Sequence, residues 1–386
     1  MRMGKGMIFL VFVILCGCWD RTEINDLAFV TATALDLSDD GNVLCSLQIA
    51  IPASIEGGSR SGGEANQFFI ISAEGKDGNE IHRKLQKKSS RILFLSHRSV
   101  IFVSERLAEQ GIGDILDIFT HDPRNRLKTY IMVVKGGEGR NILKMNYPLK
   151  QVSIEAVKEM EISGEDVAVT LRDFFMAQAS EGVHPVVGTI EPDVHSKDTD
   201  KEIFNFAGAA VFKDFKLYGL LNDKDTMGLL WVTNKLKTGR ITTNLHKGGE
   251  VGLVLSQAHS KIITQNLKNA VQFKIQLEGQ GSLAENTSNL DINEPKNLKI
   301  IKNELENAVR KQVQDFLFKI QKKYKVDSVG FGQEVYKNYP DKWAVLKPNW
   351  NTMFPKATIA IEVNLTVKGA GMVHSSFGSQ DEGDEK

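Results

Sequence analysis

The residues best placed to do chemistry are two cysteines near the start of the chain, Cys16 and Cys18, with Gly17 between them. A cysteine thiolate is a strong nucleophile and can be alkylated. Two basic residues and an unbroken apolar run over 7–15 precede the pair, which is the order of segments in an export signal. The run would be roughly 14 Å long as a helix at about 1.5 Å per residue, whereas a bilayer core needs about 20 residues. We therefore predict a cleaved export signal rather than a permanent membrane span.

The end of this signal, Leu15-Cys16-Gly17-Cys18, resembles the lipobox of bacterial lipoproteins. In that family the cysteine after the small residue receives a diacylglyceryl group and becomes the first residue of the mature protein. Cys18 fits this pattern because Gly17 precedes it, whereas Cys16 follows the bulky Leu15. The resemblance implies that residues 1–17 are a signal peptide, that cleavage falls between Gly17 and Cys18, and that Cys18 carries the lipid. The rest of the chain would then work outside the cytoplasm, tethered to a membrane.

Composition limits the remaining possibilities. The chain has 386 residues, enough for two or three domains. Apolar residues make up 41% and charged residues 25% of the chain, which is typical of a globular protein. The formal net charge is zero, so there is no basic field of the kind that binds nucleic acid. No stretch after the signal approaches the length of a membrane span.

The third cysteine, Cys45, has no partner for a disulfide if Cys18 is lipidated and Cys16 is removed with the signal. A disulfide framework is therefore excluded despite export. Cys45 lies inside the apolar segment 43–47. We predict a free thiol buried in a strand.

The first part of the chain, 18–146, alternates between strand-like and helix-like segments, which predicts an α/β domain with a mixed sheet and helices on it. Asp40-Gly41 predicts a tight turn between the first two strands. The predicted strands are 27–35, 43–51, 67–73, 99–103 and 127–134, and the predicted helices are 77–90 and 107–119, the latter interrupted by glycines.

Two ligand-binding loops can be rejected from their spacing. The loop that begins at Asp36 imitates a calcium loop, but its twelfth position is Leu47 instead of a bidentate glutamate. The glycine-rich stretch 136–139 lacks the spacing of a phosphate loop and its lysine. We expect no bound calcium or nucleotide at either place.

The second part of the chain divides into a small middle subdomain with a linker, 147–200, and a C-terminal domain, 203–372. Its clearest feature is a long helix over 295–325, with apolar residues at spacings of three and four. We expect this helix to lie on an antiparallel-rich sheet of its own domain, so that the fold class is α+β and multidomain. The acidic tail 373–386 is predicted to be disordered. The predicted strands are 185–190, 204–212, 216–221, 228–232, 251–256, 261–264, 270–277 and 357–367, and the other predicted helices are 152–162 and 170–179.

Catalytic chemistry finds little support in the sequence. The eight histidines are scattered, with no metal-binding spacing and no nucleophile elbow. His97 is interpreted as structural, and His121-Asp122 as a turn before Pro123, because adjacent side chains rarely face each other. The glutamates at 155, 159 and 161 are interpreted as a solvated helix face. We predict no catalytic residue, no metal and no cofactor.

Several segments, taken in order, resemble the Ger(x)C family, the lipoprotein C subunits of spore germinant receptors. The resemblance covers 18–371, and His121 stands where the family has arginine in an Arg-Asp-Pro turn. The segments are Cys18-Trp19-Asp20 after the lipobox, 90–97 (SRILFLSH), 107–112 (LAEQGI), 121–124 (HDPR), 208–212 (GAAVF), 217–219 (LYG), 228–231 (GLLW), 330–332 (GFG) and the Trp343, Trp350, Phe354-Pro355 series.

This resemblance implies a subunit on the outer face of the spore inner membrane, required for germination and without catalytic activity. Its partners would be an integral-membrane A subunit and a permease-like B subunit, which together respond to small-molecule nutrients. Whether this subunit itself contacts the germinant stays open. An alternative is a solute-binding lipoprotein serving a transporter, which would need two similar α/β lobes around a cleft. A third possibility, an extracytoplasmic hydrolase, is disfavoured by the missing motifs.

Overall fold

The structure, a computed structural model, describes residues 23–51, 68–121, 125–145, 166–193, 204–246, 248–267 and 271–370. These residues form two sheets, one of nine strands and one of four, with helices packed on both. The predicted α+β class is confirmed. No helix in the described ranges is both long enough and apolar enough to cross a bilayer.

The nine-stranded sheet is mixed. Parallel pairing joins β1, β5, β6 and β7 in its centre, and antiparallel pairing adds β2 and β3 at one side and β8 and β9 at the other. The short β4 pairs with the first residues of β1. The central strands are buried on both faces, which explains their nearly continuous apolar sequences. The strands are β1 Leu27–Leu37, β2 Val43–Ala50, β3 Phe68–Gly75, β4 Ile92–Phe94, β5 Val100–Ser104, β6 Tyr130–Val134, β7 Val186–Pro192, β8 Phe204–Lys213 and β9 Lys216–Leu221.

Among the described residues, five helices belong to the part of the chain that forms most of this sheet. In three of them the side chain before the helix accepts a hydrogen bond from a free backbone N–H group: Asp77 from Glu80, Ser104 from Leu107 and Thr170 from Asp173. Gly111, with φ of 124°, separates α2 from α3, as its position in the sequence predicted. The helices are α1 Gly78–Gln86, α2 Glu105–Gln110, α3 Gly113–His121, α4 Gly139–Lys144 and α5 Leu171–Ala179.

The hairpin of β8 and β9 differs from its predicted place. It was expected to open the C-terminal domain, but β8 pairs with β7 and extends the nine-stranded sheet. The sheet therefore continues across the segment predicted to link the domains. The reason is that β7 would otherwise leave an unpaired edge, and β8 is the next apolar strand along the chain.

The strand predicted at 228–232 is wrong. These residues form the end of helix α6, Asp223–Val232, which begins with a capping box between Asn222 and Asp225. The helix is apolar around most of its last turn because it is buried between other elements. A short apolar run of this kind cannot be assigned to helix or strand from periodicity alone.

The four-stranded sheet has the order β10, β11, β12, β13. Its first two pairings are antiparallel and the last, β12 with β13, is parallel. The strands predicted at 251–256 and 261–264 are one continuous strand with irregularities in its register. The strands are β10 Gly239–Asn244, β11 Glu250–Asn266, β12 Gln272–Asn286 and β13 Thr358–Ala370.

The long helix is confirmed on its predicted bounds. Helix α7, Pro295–Phe318, continues as a π-helical turn, Lys319–Tyr324, and ends at Lys325 in the left-handed conformation. Its apolar stripe faces the four-stranded sheet and α6. The buried residues of the stripe are Ile301, Leu305, Val309, Val313, Phe316, Leu317 and Ile320.

An aromatic cluster closes the end of this sheet. The rings of Trp343 and Trp350 lie 5.3 Å apart, and Phe331 lies 4.8 Å from Phe273 and 5.9 Å from Phe354. All five side chains are buried. They come from β12 and from the short helices α8 Phe331–Asn338, α9 Pro340–Leu346 and α10 Trp350–Met353, with the turn that follows α10.

Some predictions lie outside the described residues. They are the helix at 152–162, the linker at 196–202 and the acidic tail at 373–386. The division into 18–146, 147–200 and 203–372 stays a prediction.

Candidate functional site

The predicted lipid-attachment residue Cys18 and the cleavage position at Gly17 lie outside the described residues, which begin at Glu23. Lipidation at Cys18 therefore stays a prediction. The described chain starts only five positions after Cys18, and a short 3-10 turn, Ile24–Asp26, leads directly into β1.

The prediction for Cys45 is confirmed. Its thiol is free and its side chain is 6% exposed, in β2. Burial raises the pKa of the Cys45 thiol to about 12, because a thiolate would have to lose its hydration there. At neutral pH the residue is therefore a neutral, unreactive core side chain.

Asp36, the first residue of the loop that imitates a calcium site, has a structural role. Its carboxylate is buried and accepts hydrogen bonds from the backbone N–H groups of Gly139, at 2.7 Å, and Arg140, at 3.0 Å. Burial raises the pKa of Asp36, and the two backbone hydrogen bonds oppose that shift. The glycine-rich stretch 136–139 thus presents its free N–H groups to a carboxylate of the protein itself.

The candidate histidines are not brought together. His97 is exposed, with its ring centroid 5.7 Å from that of Phe29, and His121 pairs along its own helix with Asp117 at 3.3 Å. Asp122 lies outside the described residues. In the ranges that the structure describes, no group of three or more histidine, cysteine or acidic side chains could hold a metal ion.

A cleft of about 360 Å³ lies between the two sheets. One wall comes from α5 and the start of β7, and the other from the end of α6 and the start of α8. Its apolar lining includes Phe174, Leu229 and Val329, and its polar lining includes His184 and Ser328.

The floor of this cleft is fixed by Asp327. Its carboxylate accepts hydrogen bonds from the backbone N–H groups of Gly330, Phe331 and Gly332 at 2.8 to 3.1 Å, and from the Trp350 indole at 3.1 Å. Desolvation raises the pKa of Asp327 to about 6, with these four hydrogen bonds acting in the opposite direction. The side chain is therefore ionised at neutral pH and holds the α7–α8 turn in one shape.

Two further contacts join the walls of the cleft. Glu181 accepts hydrogen bonds from the Trp343 indole at 3.1 Å and from Lys347 at 2.5 Å, and its pKa is lowered by them, by Lys347 first. Beside it, Gly182 lies so close to Gly332 that a Cβ on Gly182 would be 2.3 Å from the Gly332 carbonyl carbon.

The cleft has few groups free to act on a ligand. Burial lowers the pKa of His184, and its Nδ1 lies 3.3 Å from the carbonyl oxygen of Asp327, so the neutral ring donates there. Gln333 accepts a hydrogen bond from Lys337. Ser328 Oγ is buried and has no hydrogen-bond partner. The arrangement could hold a small polar molecule, but it has no nucleophile paired with a base.

A second surface stands out at the end of the nine-stranded sheet where β1 begins. Four large apolar side chains are exposed there, and we call them the apolar end: Ile24 at 74%, Ile92 at 54%, Ile51 at 45% and Phe69 at 44%. Apolar residues exposed singly are common on proteins, and these four are of interest because they share one end of the sheet.

The strand registers place these residues at the same end of the sheet, with Phe69 on one face and Ile92 on the other. Ile92 lies opposite Leu27, the first residue of β1, and Ile51 follows the last residue of β2. Phe69 lies opposite Ile49 on the neighbouring strand. With adjacent strands about 4.8 Å apart, the four strands β3, β2, β1 and β4 give this end a width of roughly 15 Å.

Family comparisons match both parts of the chain. Residues 20–192 match the family described as "Spore germination protein N-terminal domain", and residues 207–371 match "Spore germination B3/ GerAC like, C-terminal". The chain belongs to the Ger(x)C family of spore germination proteins. The resemblance found in its sequence is thereby confirmed.

Individual germination proteins agree with this assignment along nearly the whole chain. Spore germination protein KC of Bacillus subtilis is 26% identical and spore germination protein YndF of the same organism is 27% identical, with at least 95% of each chain covered. A crystal structure of the GerBC protein matches the fold with a TM-score of 0.59, at 19% identity, over 87% of this chain and 96% of that chain.

Sequence reasoning missed the cleft and the role of Asp327 in this family member. A signal was present, since an aspartate shortly before Gly330-Phe-Gly332 is placed to accept hydrogen bonds from the N–H groups of a following turn. The apolar end carried no such signal. Its residues come from four separate segments, and only the strand registers bring them together.

Proposed function

We propose that this chain is the membrane-anchored lipoprotein C subunit of a nutrient germinant receptor. In this proposal, Cys18 carries the lipid and holds the protein on the outer face of the spore inner membrane. The subunit assembles there with the integral-membrane A and B subunits. It acts without catalysis.

The observation that carries the proposal is the combination of the two family matches with the Leu15-Cys16-Gly17-Cys18 sequence. A lipid anchor agrees with the short apolar run before Cys18, since a diacylated residue gives a stable membrane attachment without a spanning helix. A non-catalytic role is supported by what Asp36, Asp327 and Glu181 contact, because each is engaged with backbone or side-chain donors.

A solute-binding lipoprotein is the less favoured function. That class would bind its ligand between two similar α/β lobes, whereas here a nine-stranded mixed sheet faces a four-stranded sheet of different topology. Two polar side chains of the cleft between the sheets, His184 and Gln333, are already hydrogen-bonded within the protein.

The lipid anchor can be tested with two matched variants. Cys18→Ala should lose incorporation of labelled fatty acid, because the thioether cannot form. Cys16→Ala should keep it, since Gly17-Cys18 is intact. Labelling of Cys18→Ala equal to that of the wild type would contradict the proposal.

Membrane retention needs a further control, because an uncleaved signal could itself hold the protein. Residues 1–17 are therefore replaced by an export signal that is cleaved without lipid, with Cys18→Ala in the same chain. We expect this protein in the soluble fraction when the A and B subunits are absent. Co-purification of the wild-type protein with the A and B subunits from detergent extracts tests the assembly.

A further inference from the structure

We propose that the apolar end, formed by Ile24, Ile51, Phe69 and Ile92, rests in the surface of the lipid bilayer. The occupant of this exposed surface is thus the membrane itself. The inference rests on the lipid anchor of the proposed function and adds an orientation for the folded protein.

The first argument is the reach of the chain. Only five positions separate Cys18 from Glu23, the first described residue. A fully extended chain spans at most about 3.6 Å per residue, so Glu23 lies within roughly 18 Å of a lipidated Cys18. The start of β1 is therefore held close to the membrane, whatever path the intervening residues take.

The second argument is the exposure of the side chains at this end. Ile24 and Ile92 are more than half exposed, and they lie at the part of the fold nearest to the anchor. An amphipathic surface buries its apolar side chains roughly 5–10 Å into the boundary between headgroups and acyl chains. Ile92 lies level with Leu27, and Ile51 lies two residues beyond Ile49, so both are nearer to the end of the sheet than Phe69, which lies opposite Ile49.

The third argument is charge. The segment between α1 and β4 carries Lys87, Lys88 and Arg91, and all three are exposed. Arg91 immediately precedes Ile92, whereas the Lys88 ammonium contacts the carbonyl oxygen of Ser72, three residues further into the sheet than Phe69. Basic residues beside an apolar surface attract the anionic headgroups of a bilayer.

Acidic residues also occur at this end, but the exposed basic side chains outnumber them. Glu23 and Asp26 flank Ile24, and both are exposed. Just before β6, Arg126 and Lys128 add two more exposed basic side chains at the same end of the sheet. This end of the sheet therefore carries four exposed apolar side chains, and the charged residues beside them are mainly basic.

The test uses the full lipidated protein in vesicles of phosphatidylcholine, with and without phosphatidylglycerol. Ile92→Cys is spin-labelled, and the accessibility of the label to oxygen is compared with its accessibility to a water-soluble nickel complex. Val345→Cys, at a position 73% exposed on α9, is the matched control. The native thiols do not interfere, because Cys45 is buried and Cys18 is linked to lipid.

We expect the ratio of oxygen to nickel accessibility to be several-fold higher at position 92 than at position 345. Phosphatidylglycerol should raise the ratio at position 92 further. Arg91→Glu should remove that increase, whereas Lys311→Glu on the exposed face of α7 should not.

Mass spectrometry first shows whether Cys18 carries lipid. In lipidated protein, an equal ratio of oxygen to nickel accessibility at positions 92 and 345 would overturn the inference and leave the lipid anchor intact. Protein that carries no lipid on Cys18 would instead contradict the proposed function. If the label at position 92 is shielded from the nickel complex only when the A and B subunits are present, the partner is a protein, and this result would also overturn the inference.

Discussion

Asp327 shows how one buried carboxylate can organise a turn. Three backbone N–H groups and one indole N–H converge on its two oxygens, so the chain between α7 and α8 has few other conformations that satisfy these donors. A buried donor left without an acceptor costs about 1–3 kcal/mol. The residue therefore stabilises the floor of the cleft through hydrogen bonds and not through an ion pair.

Asp327→Asn should lower the free energy of unfolding by about 2 kcal/mol at pH 7, because the amide NH₂ faces N–H donors that lose their acceptor. The loss should be larger at pH 4. The wild-type pKa is raised in the fold to about 6 from an ordinary 3.8, so this group stabilises the fold most below pH 4 and loses that contribution as the pH rises to 6. Once the group is fully ionised, its contribution to the free energy of unfolding has fallen by about 3 kcal/mol.

Denaturant unfolding of both proteins between pH 4 and pH 7 measures this difference. Asp341→Asn, on the exposed first turn of α9, serves as the control and should follow the wild type. If the difference in the free energy of unfolding between the wild type and Asp327→Asn does not change with pH, the carboxyl group does not titrate in this range.

At the scale of elements, helix α7 is the structural centre of the four-stranded sheet. Phe316→Ala should lower the free energy of unfolding by about 3–5 kcal/mol, because the ring is fully buried and its removal leaves a cavity. Phe318→Ala removes the same ring two residues later, where it is 65% exposed, and should change stability by about 0.5 kcal/mol or less.

Thermal melting of the two phenylalanine variants tests the role of the helix. If the stripe were a docking surface for the membrane subunits, Phe316→Ala would melt like the wild type and lose only its association with them.

The contact between Gly182 and Gly332 joins the cleft walls at the level of the backbone. Gly182→Ala should destabilise the protein by at least 2 kcal/mol more than Gly136→Ala. Both glycines have a similar positive φ, 69° and 66°, so both variants lose about 1 kcal/mol or more to backbone strain. Only at Gly182 does the added Cβ meet another chain segment, whereas at Gly136 nothing lies within 4 Å.

Melting temperatures of the two glycine variants, measured side by side, separate strain from packing. Equal losses would mean that the two walls can move apart without cost.

Some of these elements could be predicted from sequence patterns and others could not. Helix α7 was predictable because its apolar spacing persists over many turns, and the β1–β2 hairpin because Asp40-Gly41 specifies its turn. The 228–232 segment was not, since a short buried run has no distinguishing period. The predicted lipidation sequence is local and needs no tertiary information, whereas the cleft and the apolar end depend on pairing between distant segments.

At the scale of the whole molecule, one sheet unites the two parts that family comparisons treat separately. β7, in the N-terminal match, pairs along its length with β8, whose strand runs into the C-terminal match. The last strand of this sheet, β9, also packs against α2. The two parts are therefore expected to stay together even without a covalent connection.

A protease site placed within 194–203 tests this expectation. After cleavage the two fragments should co-elute in size-exclusion chromatography under native conditions and separate in denaturant, because the β7–β8 pairing lies on both sides of the cut. Separation of the fragments without denaturant would show that the linker itself holds the parts together.

The parallel pairing of β12 with β13 has a consequence for biosynthesis. The ribosome completes β12 at Asn286, but its parallel partner, β13, is finished only at Ala370. In an exported chain the sheet forms after translocation, so one long edge of β12 stays uncovered until the segment up to Ala370 has also crossed the membrane. An open edge of this kind pairs readily with other chains. The C-terminal half is thus most prone to aggregation while it emerges outside the cytoplasm, and a chain truncated before Thr358 leaves that edge uncovered.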